Sequence, residues 1–111
     1  MLKWNNIKPD VYESEYNRFT IYKTENEKWI LKDNTELFIK KDYIKNTLQE
    51  CQEEAESILK DNMILSNIIV ENRKNFFDVT DKDVEDILKD CKIKGINITE
   101  EELRNMPLLH V

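Results

Sequence analysis

Glycine occurs once in this chain, at Gly95, and proline twice, at Pro9 and Pro107. Loops that cradle phosphate need several glycines for close backbone approach, so glycine-rich nucleotide sites are excluded. Long flexible linkers are excluded on the same ground. Histidine also occurs once, at His110, one residue from the end of the sequence, where chains usually fray. A catalytic base must be held within hydrogen-bond reach of its target, so His110 reads as a tail residue and not as a catalytic or metal-binding one. The two cysteines, Cys51 and Cys91, fall on apolar stripes of expected helices. A nucleophilic thiol needs a partner base and an electropositive surround. These two have acidic neighbours instead, Glu50 and Glu53 beside one and Asp90 beside the other. They read as reduced, buried packing residues. Two cysteines with one terminal histidine do not supply the spacing of a structural zinc site.

Long hydrophobic runs are also missing. None approaches the ~20 residues that span a bilayer, so no membrane partner is expected. Met1-Leu2-Lys3-Trp4 leads into polar residues without an apolar signal region, and the expected location is cytoplasmic.

What is present is charge, in 36% of residues, with a net charge of −6. It is unevenly spread. Residues 1–46 hold 9 Lys/Arg against 8 Asp/Glu, and residues 47–111 hold 8 against 15. The second part should repel phosphates and attract a basic surface. Apolar residues still make up 40% and recur periodically, which disordered chains lack. One domain over 1–111 is expected, with a β-rich part at 1–46 and a helical part at 47–111.

The front part alternates. Val11–Tyr16, Arg18–Thr24, Lys28–Asp33 and Glu36–Lys40 read as strands separated by short turn-prone breaks. Phe19, Ile21, Trp29, Leu31, Leu37 and Ile39 form one face, which reads as core. The other face collects Arg18, Tyr22, Lys28, Lys32, Phe38 and Lys40, with Thr20 and Ile30 among them.

Helix signals follow. Thr47-x-x-Glu50 is a capping box, and Leu48, Cys51, Ala55, Ile58 and Leu59 recur at helical spacing. Asp61–Asn75 is apolar nearly all round and reads as a second helix, with Ile68-Ile69-Val70 leaving a strand open. Thr80 with Asp83 caps a third, stapled by Val79 and Val84 and stopped by Gly95. Thr99 with Glu102 caps a fourth, stapled by Ile98 and Leu103 and ended by Pro107. The expected fold class is α+β: an antiparallel sheet of three to four strands, packed on one side by about four helices.

Trp4, the turn Lys8-Pro9-Asp10-Val11-Tyr12, the hairpin Tyr16-Asn17-Arg18-Phe19, the strand start Glu27-Lys28-Trp29 and the helix start Thr47-Leu48-Gln49-Glu50-Cys51 carry a resemblance. Residues 4–56 resemble a short β-β-β-α module that recurs in uncharacterised phage and bacterial proteins. Asp10, Asn17 and Glu27 stand where that module has glycine. The resemblance implies the strand order and a phage or mobile-element setting inside a host cell. It implies no activity and stops at residue 56.

Asp78, Asp81, Asp83, Glu85 and Asp86 form an acidic run, but a calcium loop also needs a central glycine, which is missing. Nothing singles out a catalytic carboxylate pair among 23 acids. No enzyme activity, cofactor or metal is expected. Binding remains, with two candidate surfaces. Glu50, Glu53, Glu54, Glu56, Asp86 and Asp90 present acidic helix faces suited to a basic protein surface. This is the main expectation: a phage or mobile-element inhibitor that occludes a host protein, for example a nucleic-acid-binding defence enzyme such as a CRISPR effector. The basic-aromatic sheet face suits nucleic acid, through Lys/Arg on phosphates and rings on bases, or a protein partner. The apolar stretch Met63–Val70 also suits a homodimer seam in a self-associating scaffold.

Overall fold

In the computed structural model, which describes residues 2–73 and 79–110, five antiparallel strands precede three α-helices. The class is α+β, with one strand more and one helix fewer than the upper expectation. The strands are β1 (Trp4–Lys8), β2 (Val11–Ser14), β3 (Phe19–Lys23), β4 (Trp29–Asp33) and β5 (Asp42–Lys45). They pair in sequence order, β1-β2-β3-β4-β5, so every connection joins neighbours.

Two strands differ from the expectation. β1 was hidden because its sequence, Trp-Asn-Asn-Ile-Lys, is mostly polar; it is an edge strand with four exposed residues. The last strand lies at Asp42–Lys45 and not at Glu36–Lys40. Leu37, Phe38 and Ile39 are three apolar residues in succession, which no single sheet face can accept. Phe38 and Ile39 pack into a different core, and the Leu37 carbonyl accepts from the Leu108 N–H at 2.9 Å. Asp33 turns the chain outward at this point. Its Oδ1 accepts from the Thr35 N–H at 3.0 Å. Its own N–H donates to the Lys41 carbonyl at 3.3 Å, which closes the excursion over residues 34–41.

The hairpins depend on left-handed residues. Lys8 pairs with Val11, which leaves Pro9-Asp10 as a two-residue loop with Asp10 at φ 59°. Proline followed by a positive φ is the requirement of a type II turn. Between β2 and β3, Tyr16 and Asn17 both have positive φ, 62° and 55°. That is the requirement of a type I′ turn. Glu27, at φ 60°, lies in the five-residue connection 24–28 between β3 and β4, and its N–H donates to the Thr24 carbonyl at 3.1 Å. Asp10, Asn17 and Glu27 are thus all in the left-handed conformation that favours glycine.

The chain forms two compact units, 1–36 with 40–59 and 37–39 with 60–111. In the first unit the inner sheet face buries Phe19, Ile21 and Leu31 against Cys51 and Ala55, with Trp4, Tyr12, Trp29 and Tyr43 around them. Fully burying each of the large apolar side chains contributes about 1.5–3 kcal/mol. In the second unit Leu65, Ile68, Ile69, Val84, Ile87, Cys91, Leu103, Met106 and Leu109 form the core.

Helix α1 runs from Leu48 to Asn72. The two helices expected over this stretch are one, because no glycine or proline interrupts it. The strand reading of Ile68–Val70 is overturned. The expected end at Asn75 lies outside the described residues. At the helix start the Glu50 N–H donates to Thr47 Oγ1 at 3.1 Å, while the Thr47 hydroxyl donates to the Glu50 carboxylate at 3.2 Å.

Helix α2 (Asp81–Ile93) and helix α3 (Glu100–Arg104) both begin with full capping boxes, Thr80 with Asp83 and Thr99 with Glu102. Val79 and Ile98 pack on the second core, as staples would. Gly95, at φ 79°, ends α2. Its N–H donates to Lys92 and the Ile96 N–H to Cys91, the two bonds of a Schellman cap. Pro107 opens a short 3-10 turn, Pro107–His110, that seats Leu109 in the core.

Glu27 offers a direct test of the turn chemistry. A left-handed backbone costs an L-residue roughly 1–2 kcal/mol, whereas glycine's entropic cost is roughly 0.5–1 kcal/mol. Glu27→Gly is expected to raise the unfolding free energy by up to about 1 kcal/mol, read as a higher urea midpoint at constant slope. A lowered midpoint would show that the side chain, and not the backbone, governs this turn.

Candidate protein-binding surfaces

The sheet register fixes which side chains share its outer face, since directly paired residues point the same way. Val11 pairs with Tyr22, Tyr22 with Ile30, and Ile30 with Ile44. These four make one apolar row across β2 to β5, on the face opposite Ile21 and Leu31. The adjacent row runs Glu13, Thr20, Lys32 and Asp42 by the same pairings. Ile44 is 69% exposed, and Lys32 and Asp42 are exposed beside it.

The basic-aromatic face expected from the sequence is therefore only partly assembled. Tyr22 and Lys32 lie on it. Lys28 sits in the connection before β4, where its ammonium donates to the Asn46 side chain. Phe38 and Lys40 fall in the excursion between β4 and β5 and are not sheet residues; Phe38 is half-buried on the second core. Arg18 is drawn away by Asp33. Its Nε donates to Asp33 Oδ1 at 3.0 Å and a terminal nitrogen to Oδ2 at 3.4 Å, while its guanidinium lies 5.0 Å from the Phe19 ring centre. Lys32, directly opposite Asp42 across the strands, has an acid beside it and not another base. The face is apolar with mixed charge, not basic.

Sequence reasoning missed Val11 and Ile44 on this face. Ile44 was invisible because the last strand was placed six residues too early. Tyr16 was missed as well. It is 94% exposed at a hairpin tip in a left-handed conformation that bulky residues rarely adopt. The tip is held firmly: the Phe19 N–H donates to Ser14 Oγ at 2.9 Å, the Asn34 side chain to the Asn17 carbonyl at 3.2 Å, and the Glu15 N–H to the Lys3 carbonyl at 2.9 Å.

The acidic residues divide between the units. In the first, α1 carries Glu50, Glu53, Glu54 and Glu56 within ten residues that contain no base, Leu48–Ser57. Glu53 is exposed, and the other three are half-buried along the flanks of the helix. Glu50 and Glu53 accept hydrogen bonds from Thr47 and Gln49, neutral donors that leave the charge in place. Glu56 accepts from the Leu2 N–H at 3.1 Å. In the second unit Asp86 is half-buried, and Asp90 accepts from the Asn72 amide at 2.8 Å. Asp83 is buried in its capping box, and Asp81 pairs with Arg104 at 3.1 Å. Both are thereby accounted for without calcium; Asp78 lies outside the described residues.

Both cysteines are buried and free. Burial pushes the Cys51 thiol up from 9.0 to about 11; Lys45 opposes this, while Glu50 and Glu54 add to it. Burial and Asp90 raise Cys91 in the same direction. In the Met63–Val70 stretch, Leu65, Ile68 and Ile69 are core, while Met63 and Val70 stay 70% and 74% exposed. A helix seam between copies would rest on those two side chains. Among the described residues no group of three potential metal ligands converges, and no helix is long and apolar enough to cross a membrane.

No protein-family model matches this chain, and no curated protein or solved structure does.

Two outcomes follow from this geometry. Arg18→Ala leaves the buried Asp33 carboxylate without its cation, and the unfolding free energy should fall by about 3 kcal/mol. Lys40→Ala, at an exposed position, should stay within about 0.5 kcal/mol of the wild type in the same denaturation assay. The cysteines set an alkaline limit. The folded Cys51 thiol keeps its proton up to about pH 11. The unfolded one loses it from about pH 9.0. Stability is therefore fully present below that value and falls as pH rises towards 11. Chemical denaturation at pH 8 and pH 10.5 should show the drop, and Cys51→Ala should reduce it.

Proposed function

We propose that this protein acts by binding, without turnover, and that the acidic first turns of α1 are the surface that recognises a basic region on a host protein. The observation that carries this reading is the run Glu50, Glu53, Glu54 and Glu56 with no base among them. Charge at a helix start is favoured by the helix dipole only within the first turn, which covers Glu50. Glu53 and Glu54 follow Glu50 by three and four residues, and Glu56 follows Glu53 by three, so these like charges are neighbours on the helix and repel, at a cost of about 0.2–0.5 kcal/mol per pair. A cluster that weakens its own helix is understandable if a cationic partner neutralises it. Such a surface steers a basic partner and fixes its orientation more than it adds raw affinity.

The setting comes from the module resembled by residues 4–56: a phage or mobile element, in the host cytoplasm. Occlusion of a host defence protein fits that setting. Proteins that handle nucleic acid carry the basic surfaces that an acidic ridge complements. Direct nucleic-acid binding by the sheet is the weaker reading, since Asp42 and Glu13 share the face with Lys32.

The test is affinity capture from host lysate with the wild type and Glu53→Lys/Glu54→Lys as paired baits. A specific host protein should be retained by the wild type at roughly 0.1 M salt, released as screening increases, and lost by the double variant. Equal retention by both baits, or none by either, would falsify the reading. Glu53 is exposed and Glu54 half-buried on the helix flank, and circular dichroism checks that the fold is intact.

A further inference from the structure

We infer that Tyr16, at the tip of the hairpin between β2 and β3, is an anchor that stacks on an arginine of the protein partner. Its side chain is 94% exposed and makes no hydrogen bond or ring contact among the described residues. It adds nothing to either core. Yet it holds a left-handed position, φ 62° and ψ 15°, that suits asparagine or glycine better than a bulky ring. The backbone beneath it is fixed from both sides. The Asn34 side chain donates to the Asn17 carbonyl, and the Asn34 N–H donates to the Arg18 carbonyl at 2.8 Å. The Glu15 N–H donates to the Lys3 carbonyl at 2.9 Å, and the Lys3 N–H donates back to the Glu15 carboxylate at 3.2 Å. A tyrosine kept on a strained, tethered tip with its ring in water has the form of an interface anchor. The tethers leave little backbone freedom to be lost on binding.

The surroundings of the ring identify what it takes. Leu2 and Lys3 are consecutive, and a carboxylate accepts from the N–H of each: Glu56 from Leu2 and Glu15 from Lys3. The acidic run of α1 therefore continues through Glu56 to Glu15 and ends beside Tyr16. Both carboxylates are bonded to neutral amides, and neither is in an ion pair among the described residues. Arg18, two residues further on, is committed to Asp33. A nucleic-acid base stacked on the ring would bring its phosphates against these acids. A guanidinium fits both features, with its flat face on the ring and its charge near the carboxylates. A lysine ammonium supplies the charge without the flat face. The inference rests on the binding reading proposed above, and it names the side chain of the basic partner that the tip receives.

Fluorescence anisotropy with labelled hexa-arginine and hexa-lysine peptides, titrated with the full chain at low salt, tests this. The wild type should prefer hexa-arginine. Tyr16→Asn should weaken hexa-arginine roughly two- to fivefold and leave hexa-lysine nearly unchanged. Tyr16→Phe, which keeps the ring, should bind hexa-arginine as the wild type does. Tyr16→Asn should also raise the urea midpoint, because asparagine accepts the left-handed backbone. A merely structural tyrosine would not combine lost arginine preference with gained stability. Equal affinity of the wild type and Tyr16→Asn for hexa-arginine overturns the proposal. So does a Tyr16→Asn that loses both peptides alike with a lowered midpoint, since the residue would then serve the fold. The acidic ridge is read separately: Glu53→Lys/Glu54→Lys should weaken both peptides and keep the arginine preference. If that double variant binds both peptides as the wild type does, the ridge reading fails while the tyrosine result stands.

Discussion

Much of the first unit hangs on one carboxylate taken out of water. Asp33 is buried at the end of β4, and burying a charge is costly unless it is paired and hydrogen-bonded. Here it is both. Arg18 approaches with two nitrogens, and the Thr35 N–H donates to the same Oδ1. The pairing explains why Arg18 leaves the sheet face, why the chain turns at Asn34, and where β5 can begin. The Asp33 N–H to Lys41 carbonyl bond brings the strand back into register after eight residues. Removing the arginine is thus a different kind of change from removing any surface lysine.

Much of this architecture could be read from residues alone, where the signal is local. The capping boxes at Thr80 and Thr99 need only four residues each, and the stop at Gly95 needs one glycine in a chain that has no other. The faces of β3 and β4 could also be read, because Phe19, Ile21 and Leu31 alternate without ambiguity. What could not be read is competition between distant partners. Leu37, Phe38 and Ile39 look like strand residues, but the second core takes Phe38 and Ile39. Nothing in the local sequence reports that pull. β1 was concealed for the opposite reason: an edge strand with polar side chains leaves no alternation to detect.

The candidate surfaces divide in the same way. The acids of α1 were visible because charge is written directly in the sequence, and the helix displays them. The sheet face was misread because a face is a product of register. Moving the last strand by six residues replaced Phe38 and Lys40 with Ile44 and Asp42. One change of register thereby turned a basic-aromatic surface into an apolar one with mixed charge.

The excursion between β4 and β5 has a consequence for how this chain can be divided. Leu37–Ile39 belongs to the second unit while the residues on either side belong to the first, so the backbone crosses the boundary three times. No single cleavage separates two intact parts. A fragment beginning at Lys60 would lack Phe38 and Ile39, leaving a hole in its core, and one ending at Leu59 would carry two orphaned apolar side chains into water. Recombination that joins genes end to end could not exchange either part cleanly. The two units must be translated, and inherited, as one piece.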